Sequence, residues 1–483
     1  MRAIWVLLLA AAPLRGDGLL LRLKSPPEPG APGLRREIRS RTPGLRHGIA
    51  AAHPGLLATP GVRLLRYVPD HGVLVAIDDD AAPPEGWREL APDEKLSPLL
   101  RESRGDSPEY WLVEFHPDVH PDEARAIIAD SGLELRQHPD LLAGHMLIRA
   151  EAPLAAALAE WDEVAYVFPA SEELVTGRLV YGCAGPLTAF GPLGQYVSQI
   201  GEGWDGPGRN PVRLGYYYEN LTSRLASQTV RAAFEKALSE WSRAVEVDFA
   251  PAADRAAPRS LNVLFARGAH GDPYPFDGPG RVLAHTFYPA PVNPEPMAGD
   301  LHFDDDEPWQ LASPDFYSVA LHELGHALGL GHSDKPGSVM YPYYQRLDKL
   351  TAEDIAAIQR LYAARQGAAP TPSSPNPAAP PSEPQPPSAG RDTTAPSLLI
   401  RSPQTTSVFT TASSIVVSGT ASDNIGVKEV LWSSSNGSRG SAEGTTAWTT
   451  PPIPLYLGVN TITIRAYDAA GNQAWRTLTV TRR

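Results

Sequence analysis

His322-Glu323-Leu324-Gly325-His326-Ala327-Leu328-Gly329-Leu330-Gly331-His332 decides how this 483-residue chain is read. The pattern is H-E-x-x-H-x-x-G-x-x-H. Residues four apart share one face of a helix, so His322 and His326 can offer two imidazoles to one ion. Glu323 stands beside the first, where a carboxylate can reach a water activated by that ion. Gly329 tolerates the positive φ that ends a helix and turns the chain back, bringing His332 in as a third nitrogen. Three protein ligands leave a fourth tetrahedral position open, the arrangement of catalytic rather than structural zinc. A histidine-rich amphipathic helix with a glycine stop would explain neither Glu323 nor Met340, eight residues past His332.

Working outward, Ser338-Val339-Met340-Tyr341-Pro342 looks like the methionine turn that underlies the zinc in metzincins. Val212–Tyr218 and Leu261–Phe265 read as strands. Ser227–Ala244 reads as a helix with Val230, Phe234, Ala237, Leu238 and Trp241 at core spacing, and Ser227 or Thr229 can cap it. The active-site helix is expected over about 313–328, and a last helix over Ala352–Tyr362 turns Ile355, Ile358 and Leu361 inward.

With these in place, residues about 210–365 resemble a matrixin, the matrix-metalloprotease type of metzincin. Ser333 after His332 is the residue matrixins favour there, and Asp354–Tyr362 is similar to their closing helix. The resemblance covers roughly a third of the chain and implies an α/β domain, a twisted mixed sheet plus three helices. It implies a zinc-activated water that attacks the scissile carbonyl, with Glu323 as general base. It places Arg281–Ala284 as an edge strand onto which a substrate adds, with Ala284, Pro342 and Tyr344 at the binding cleft. Ser318 stands where the family often has a larger side chain, so the pocket for the residue after the cut is expected to be open.

A second block supports the resemblance. His270, Asp272, His285 and His302 can close a tetrahedral shell with no open position, which predicts a structural zinc. By resemblance, calcium is held by Asp277, Asp304 and Glu307 with carbonyls of Gly278, Gly280 and Val282. The family's further calcium site calls for an acid near position 260; this chain has Ser260, and the resemblance carries that site, with Asp300, no further. Cys183 lies ahead of the domain, where matrixins carry a proregion cysteine. Its thiolate could fill the open zinc position and silence a zymogen, or it is a plain buried thiol; the flanking Tyr181-Gly182-Cys183-Ala184-Gly185-Pro186 lacks the family's neighbours.

The flanks complete a multidomain chain. Residues 1–17 read as a secretory signal, with Arg2 ahead of a short apolar run. Residues 18–105 form an N-terminal proregion in which Val62–Val68 and Gly72–Ile77 suggest a hairpin. Residues 106–175 show the order β-α-β-β-α-β of an α+β ferredoxin-like prodomain, the second helix over Leu154–Trp161. Its His116, His120, His138 and His145 adjoin prolines or strand ends and read as loop or surface residues. Residues 176–209 connect; 366–397 are a Pro/Ser-rich linker; 398–483 read as an all-β Ig-like sandwich without a cysteine pair. A net charge of -13 argues against nucleic acid as a partner. No later stretch approaches the roughly 18 apolar residues of a transmembrane helix. The expected whole is a secreted, extracellular zinc metalloendopeptidase made as a zymogen. It carries two zinc ions and calcium and acts on proteins or peptides, with a surface or carbohydrate ligand for the C-terminal module. The rival is a non-catalytic adhesive protein on a protease scaffold; intact Glu323 argues against it.

Overall fold

The computed structural model describes residues 39–42, 44–51, 56, 59–68, 72–103, 107–177, 180–183, 185, 187–188, 191–192, 203–204, 211–278, 280–290, 292–309, 314–365, 394–405, 407–434, 439–469 and 473–483. The signal segment and most of the Pro/Ser-rich linker lie outside them.

Strands β1 (Leu45–Ala51), β2 (Val62–Val68), β3 (Gly72–Asp78) and β4 (Arg88–Glu89) form a sheet in the order β2-β3-β1-β4. β2 and β3 pair antiparallel with a bulge between Leu64 and Arg66, as a hairpin requires. Val73 to Ile77 are all buried, so both faces of β3 are covered.

The next unit runs α1 (Pro98–Glu102), β5 (Glu109–Phe115), α2 (Pro121–Asp130), β6 (Glu134–Arg136), β7 (His145–Ala150), α3 (Ala152–Ala156), β8 (Val164–Pro169) and α4 (Glu172–Thr176). Its sheet order is β6-β7-β5-β8, every pair antiparallel. Proline at the start of α2 fits a first turn that needs no N–H partner, and Ala124, Ile127 and Ile128 face inward as their spacing dictates. The second helix differs from expectation. It starts at Ala152, because Pro153 is tolerated only in a first turn, and after Ala156 it tightens into a 3₁₀ turn over Ala157–Glu160. His116 and His138 lie in loops and His145 opens β7, but all three are buried and not on the surface; of the four, only His120 is exposed. Burial comes from other units: His47 of β1 stacks on His116 at 4.3 Å, and His145 packs on Tyr343.

Short strands β9 (Tyr181–Gly182), β10 (Leu187–Thr188) and β11 (Gly191–Pro192) lead to the central domain. There β12 (Val212–Tyr218), α5 (Ser227–Ala244), β13 (Val247–Pro251), β14 (Ser260–Ala266), β15 (Arg281–Val282), β16 (Ala284–Thr286), β17 (Leu301–Asp304), α6 (Phe316–Ala327) and α7 (Ala352–Ile358) follow. Five strands lie in the order β13-β12-β14-β17-β16, parallel except for β16 against β17. This is a mixed sheet with three helices. Trp241 of α5 and Leu321 and Leu324 of α6 meet in its core. α5 is not capped by Ser227 or Thr229: Ala226 is the N-cap, and no side chain caps it.

Residues 397–482 form three further sheets: one built on Ser397–Ser402, Ser418–Ser422 and Ala447–Thr449, one led by Gly458–Asp468 against Gln473–Arg482, and a two-stranded pair of Ser414–Ile415 with Ile453–Pro454. Leu398, Trp448, Ile462, Ile464 and Leu478 fill the space between. Among the described residues, no helix is long and apolar enough to cross a membrane.

Candidate active site and metal centres

Asp315 starts α6 by accepting from Ser318 N at 2.9 Å. Every helical residue from Ser318 onward is buried, so α6 runs through the core. Its end is a Schellman turn: Gly329, at φ 101°, donates to His326 O at 2.8 Å, and Leu330 donates to Gly325 O at 2.9 Å. That turn swings His332 back over the helix. Ring centroids lie 4.6 Å apart for His322–His326, 4.9 Å for His326–His332 and 5.3 Å for His322–His332.

Two backbone carbonyls fix the rings. His322 Nδ1–H donates to Val339 O at 2.6 Å and His326 Nδ1–H to Leu330 O at 2.8 Å, turning both Nε2 atoms inward. Burial holds His322 down to about 4 and His326 well below its ordinary value, so both rings are neutral. Glu323 is buried, which pushes its carboxyl up to about 7, while hydrogen bonds from Thr286 and Cys183 pull the other way. Thr286 Oγ1 donates to Glu323 Oε2 at 2.7 Å.

The 338–342 turn passes directly under α6. A Cβ on Gly325 would stand 2.3 Å from Met340 Sδ and 3.0 Å from the Trp241 ring, so only glycine fits there. Asp354 ties the turn to α7, accepting from Ser338 Oγ at 2.5 Å, Val339 N at 3.1 Å and Thr351 N at 2.8 Å. Thr286, Gly325 and Asp354 were not singled out from sequence for these contacts. Gly325, a glycine in mid-helix, was a readable signal of a close approach.

Cys183 joins the histidines. Its Sγ lies 3.6 Å from His326 Nε2, and ligand-capable atoms of Cys183, His322, His326 and His332 all lie within 4.8 Å of one another. Burial, then the facing Glu323 carboxylate, push this thiol well above its ordinary value, so a thiolate there needs a positive partner. The segment around it fills the cleft. β9 pairs parallel with β15, Leu283 N donates to Gly182 O at 3.2 Å, Cys183 N to Pro342 O at 2.9 Å, and Tyr344 N to Tyr181 O at 2.8 Å. Arg281–Leu283 is thus an edge that takes up an added strand, here from the chain itself. Ala284 pairs instead with Phe303 of β17 and is buried. A cavity of about 20 Å³, the space of about one water, remains beside Ser318, Glu323 and Tyr344, and Ser318 also lines a larger cavity of about 680 Å³ with Ala233, Lys236, Tyr317 and Leu347.

The second histidine set is also assembled. His285 Nε2 lies 3.1 Å from both Asp272 Oδ2 and His302 Nδ1, His302 Nδ1 2.8 Å from Asp272 Oδ2, and His270 Nε2 3.1 Å from Asp272 Oδ2. Burial lowers His285 to about 4. The calcium residues are less closely drawn in. Among the described residues, the two histidine sets alone bring three or more such side chains within 4.8 Å of one another, and Asp277, Asp304 and Glu307 are in neither. Still, Asp304 and Glu307 are fully buried, Gly280 N donates to Glu307, and Asp304 is pushed up to about 7 by burial and neighbouring carboxylates, including Asp277. Gly278 and Gly280 have φ of 79° and 92°, giving the loop its reversals. At the further calcium position Asn262 meets Asp300, its N and Nδ2 donating at 3.2 and 2.9 Å.

A helix-borne histidine pair, a third histidine returned by a glycine turn and a methionine beneath define a zinc domain of metzincin type. The matrixin family profile matches residues 208–363, and that of a bacterial Ig domain matches 396–473. Matrilysin of Felis catus is 42% identical over 291 residues, which cover 57% of this chain and 96% of that protein. The chain belongs to the matrixin family, whose members depend on zinc, and carries an Ig domain behind the matrixin domain. Matrix metalloproteinase-16 of Homo sapiens is 37% identical over 163 residues, 31% of this chain, and the chain spans 26% of that relative's length. Macrophage metalloelastase of Rattus norvegicus is 42% identical over 175 residues, 35% of this chain and 36% of that protein.

Proposed function

We propose that this chain is a secreted zinc-dependent endopeptidase made as a zymogen. His322, His326 and His332 hold the catalytic zinc and Glu323 is the general base. The observation that carries the reading is the convergence of three buried imidazoles beside a buried carboxyl raised to about 7. The donors fit the ion: His322 Nε2 is buried with no hydrogen-bond partner, a loss of about 1–3 kcal/mol unless something takes it up. Zinc, when bound, supplies a Lewis acid that polarises the scissile carbonyl and activates water. Glu323 takes a proton from the attacking water and passes it to the amine nitrogen as the C–N bond breaks, while Thr286 holds its carboxylate in place. The groups that grip residues 181–183, Leu283 N, Pro342 O and Tyr344 N, would bind an extended peptide in the same way.

In the zymogen Cys183 is the fourth ligand, supported by its place among the histidines. The closed set of His270, Asp272, His285 and His302 holds a structural zinc. Arms of about 2.0 Å give tetrahedral edges of about 3.3 Å, close to the spacings of these donors. Calcium is held by Asp277, Asp304 and Glu307 with the carbonyls of Gly278, Gly280 and Val282; Asp304 Oδ2, buried and without a hydrogen-bond partner, supports it. The 106–175 region is a ferredoxin-like prodomain, supported by its strand order. To test the reading, protein freed of residues before about 205 is assayed on denatured casein beside its Glu323→Ala variant. Cleavage by the first, and loss of cleavage with retained zinc in the second, is the expected pair.

A further inference from the structure

Along β5, β7 and β8 the side chains alternate between two faces, and both are apolar. Trp111, Val113 and Ile148 pack with the helices of their own unit. Leu112, Leu147, Tyr166 and Phe168 belong to a different core, shared with Tyr341 and Tyr343 of the matrixin domain and with Leu74 and Leu90 of the N-terminal sheet. A strand apolar on both faces is built to be covered on both. The cover is bonded as well as packed. The Tyr343 hydroxyl lies 2.8 Å from His145 Nδ1 and accepts from Leu142 N at 3.2 Å. Tyr166 OH donates to Asp334 at 2.7 Å, and Tyr341 OH to Pro169 O at 2.9 Å. Asp334, Tyr341 and Tyr343 all lie on the segment that follows His332 and walls the cleft. The Leu142 side chain also lies over Gly182, 2.7 Å from where a Cβ would stand. Besides the contacts of the Cys183 thiol, three main-chain bonds hold residues 181–183 in the cleft, and none of the three uses the thiol.

We propose that the 107–177 unit is an inhibitor in its own right, docked on residues 334–345, which keeps the cleft filled whether or not Cys183 has its thiol. The inhibitory half rests on the protease reading above; the docking half does not. Thiol-directed reagents would then fail to activate the precursor, and activation would require loss of the unit's grip on Tyr343.

The test uses the full chain in four forms: unaltered, Cys183→Ala, Leu142→Asp and both together. Each is read by casein cleavage and by hydrogen exchange of the Leu283 and Tyr344 amides, whose acceptors are Gly182 and Tyr181. Cys183→Ala is expected to show less than a tenth of the activity of protein processed past residue 205, with both amides as protected as in the unaltered chain. The double variant is expected to gain at least tenfold in cleavage over Cys183→Ala and in exchange at both amides. The Trp111 to Phe115 amides report that the unit stays folded; if Leu142→Asp unfolds it, Tyr166→Phe, which removes the bond to Asp334 and leaves the ring in place, replaces it. Full activity from Cys183→Ala alone overturns the proposal, as does exchange in the double variant no faster than in Cys183→Ala. If the processed protein cleaves nothing, the protease reading falls, and the exchange measurement still decides the docking.

Discussion

The two histidine clusters of the matrixin domain use the same kind of side chain and differ in what completes them. At His270, His285 and His302 the fourth group is Asp272, from the same loop-and-strand region. At His322, His326 and His332 it is Cys183, about 140 residues upstream in the connecting segment. A set closed by its own domain can only brace that domain. On the zymogen reading proposed above, a set closed by a segment that activation removes can be opened, and Glu323 stands beside the position that opening would free.

The largest expected effects separate the clusters outright. His326→Ala should lower the zinc content from two to one per chain and abolish cleavage. His302→Ala should also lose one zinc yet keep measurable cleavage, with melting lowered by roughly 6–12 °C if the lost brace is worth about 3 kcal/mol. Loss of all cleavage in His302→Ala that is folded at the assay temperature would erase the distinction. Next, Thr286→Val keeps shape but removes the bond to Glu323; kcat should fall about ten- to a hundredfold with zinc unchanged, as expected for a bond to a charged group. Gly325→Ala pushes a methyl into Met340 and should destabilise by about 1–3 kcal/mol in thermal melting, again sparing the closed cluster.

The smallest effect lies in the units ahead of residue 177, which carry neither histidine set. His47 is buried, which lowers it, but hydrogen bonds with Asp118 and Asp162 outweigh that and raise it to about 9. Its contribution is complete below about 6.5 and is lost as pH rises through 9. His116, stacked on it, is held well below its ordinary value by burial and then by the His47 charge, so its contribution is lost as pH falls below about 6.5. Melting of these units should peak near pH 6–7 and fall by a few degrees on each side. His47→Gln should flatten the alkaline limb and His116→Gln the acid limb.

The cluster on α6 was legible because eleven contiguous residues, 322–332, contain the end of the helix, the turn and all three imidazoles. The closed cluster was legible from donor types at fixed places in the chain. Cys183 could not be decided from sequence, because its position depends on a two-residue strand pairing with a distant edge, and such pairs leave no periodic trace. The burial of His116, His138 and His145 escaped the sequence for a related reason: it comes from other units, which local pattern does not report. The apolar second face of β5, β7 and β8, with Leu112, Tyr166 and Phe168 where a solvent-facing sheet would be polar, was the available signal. The cap of α5 falls on Ala226, one residue before Ser227 and three before Thr229, because both are already helical residues.

Anomalous diffraction at the zinc edge, from crystals of the zymogen, tests the central assignment most directly. One peak is predicted at about 2.0–2.1 Å from imidazole nitrogens of His322, His326 and His332 and about 2.3 Å from Cys183 Sγ, with a second inside the His270, Asp272, His285 and His302 set. A single peak in the closed set, with none between His322, His326 and His332, would contradict it.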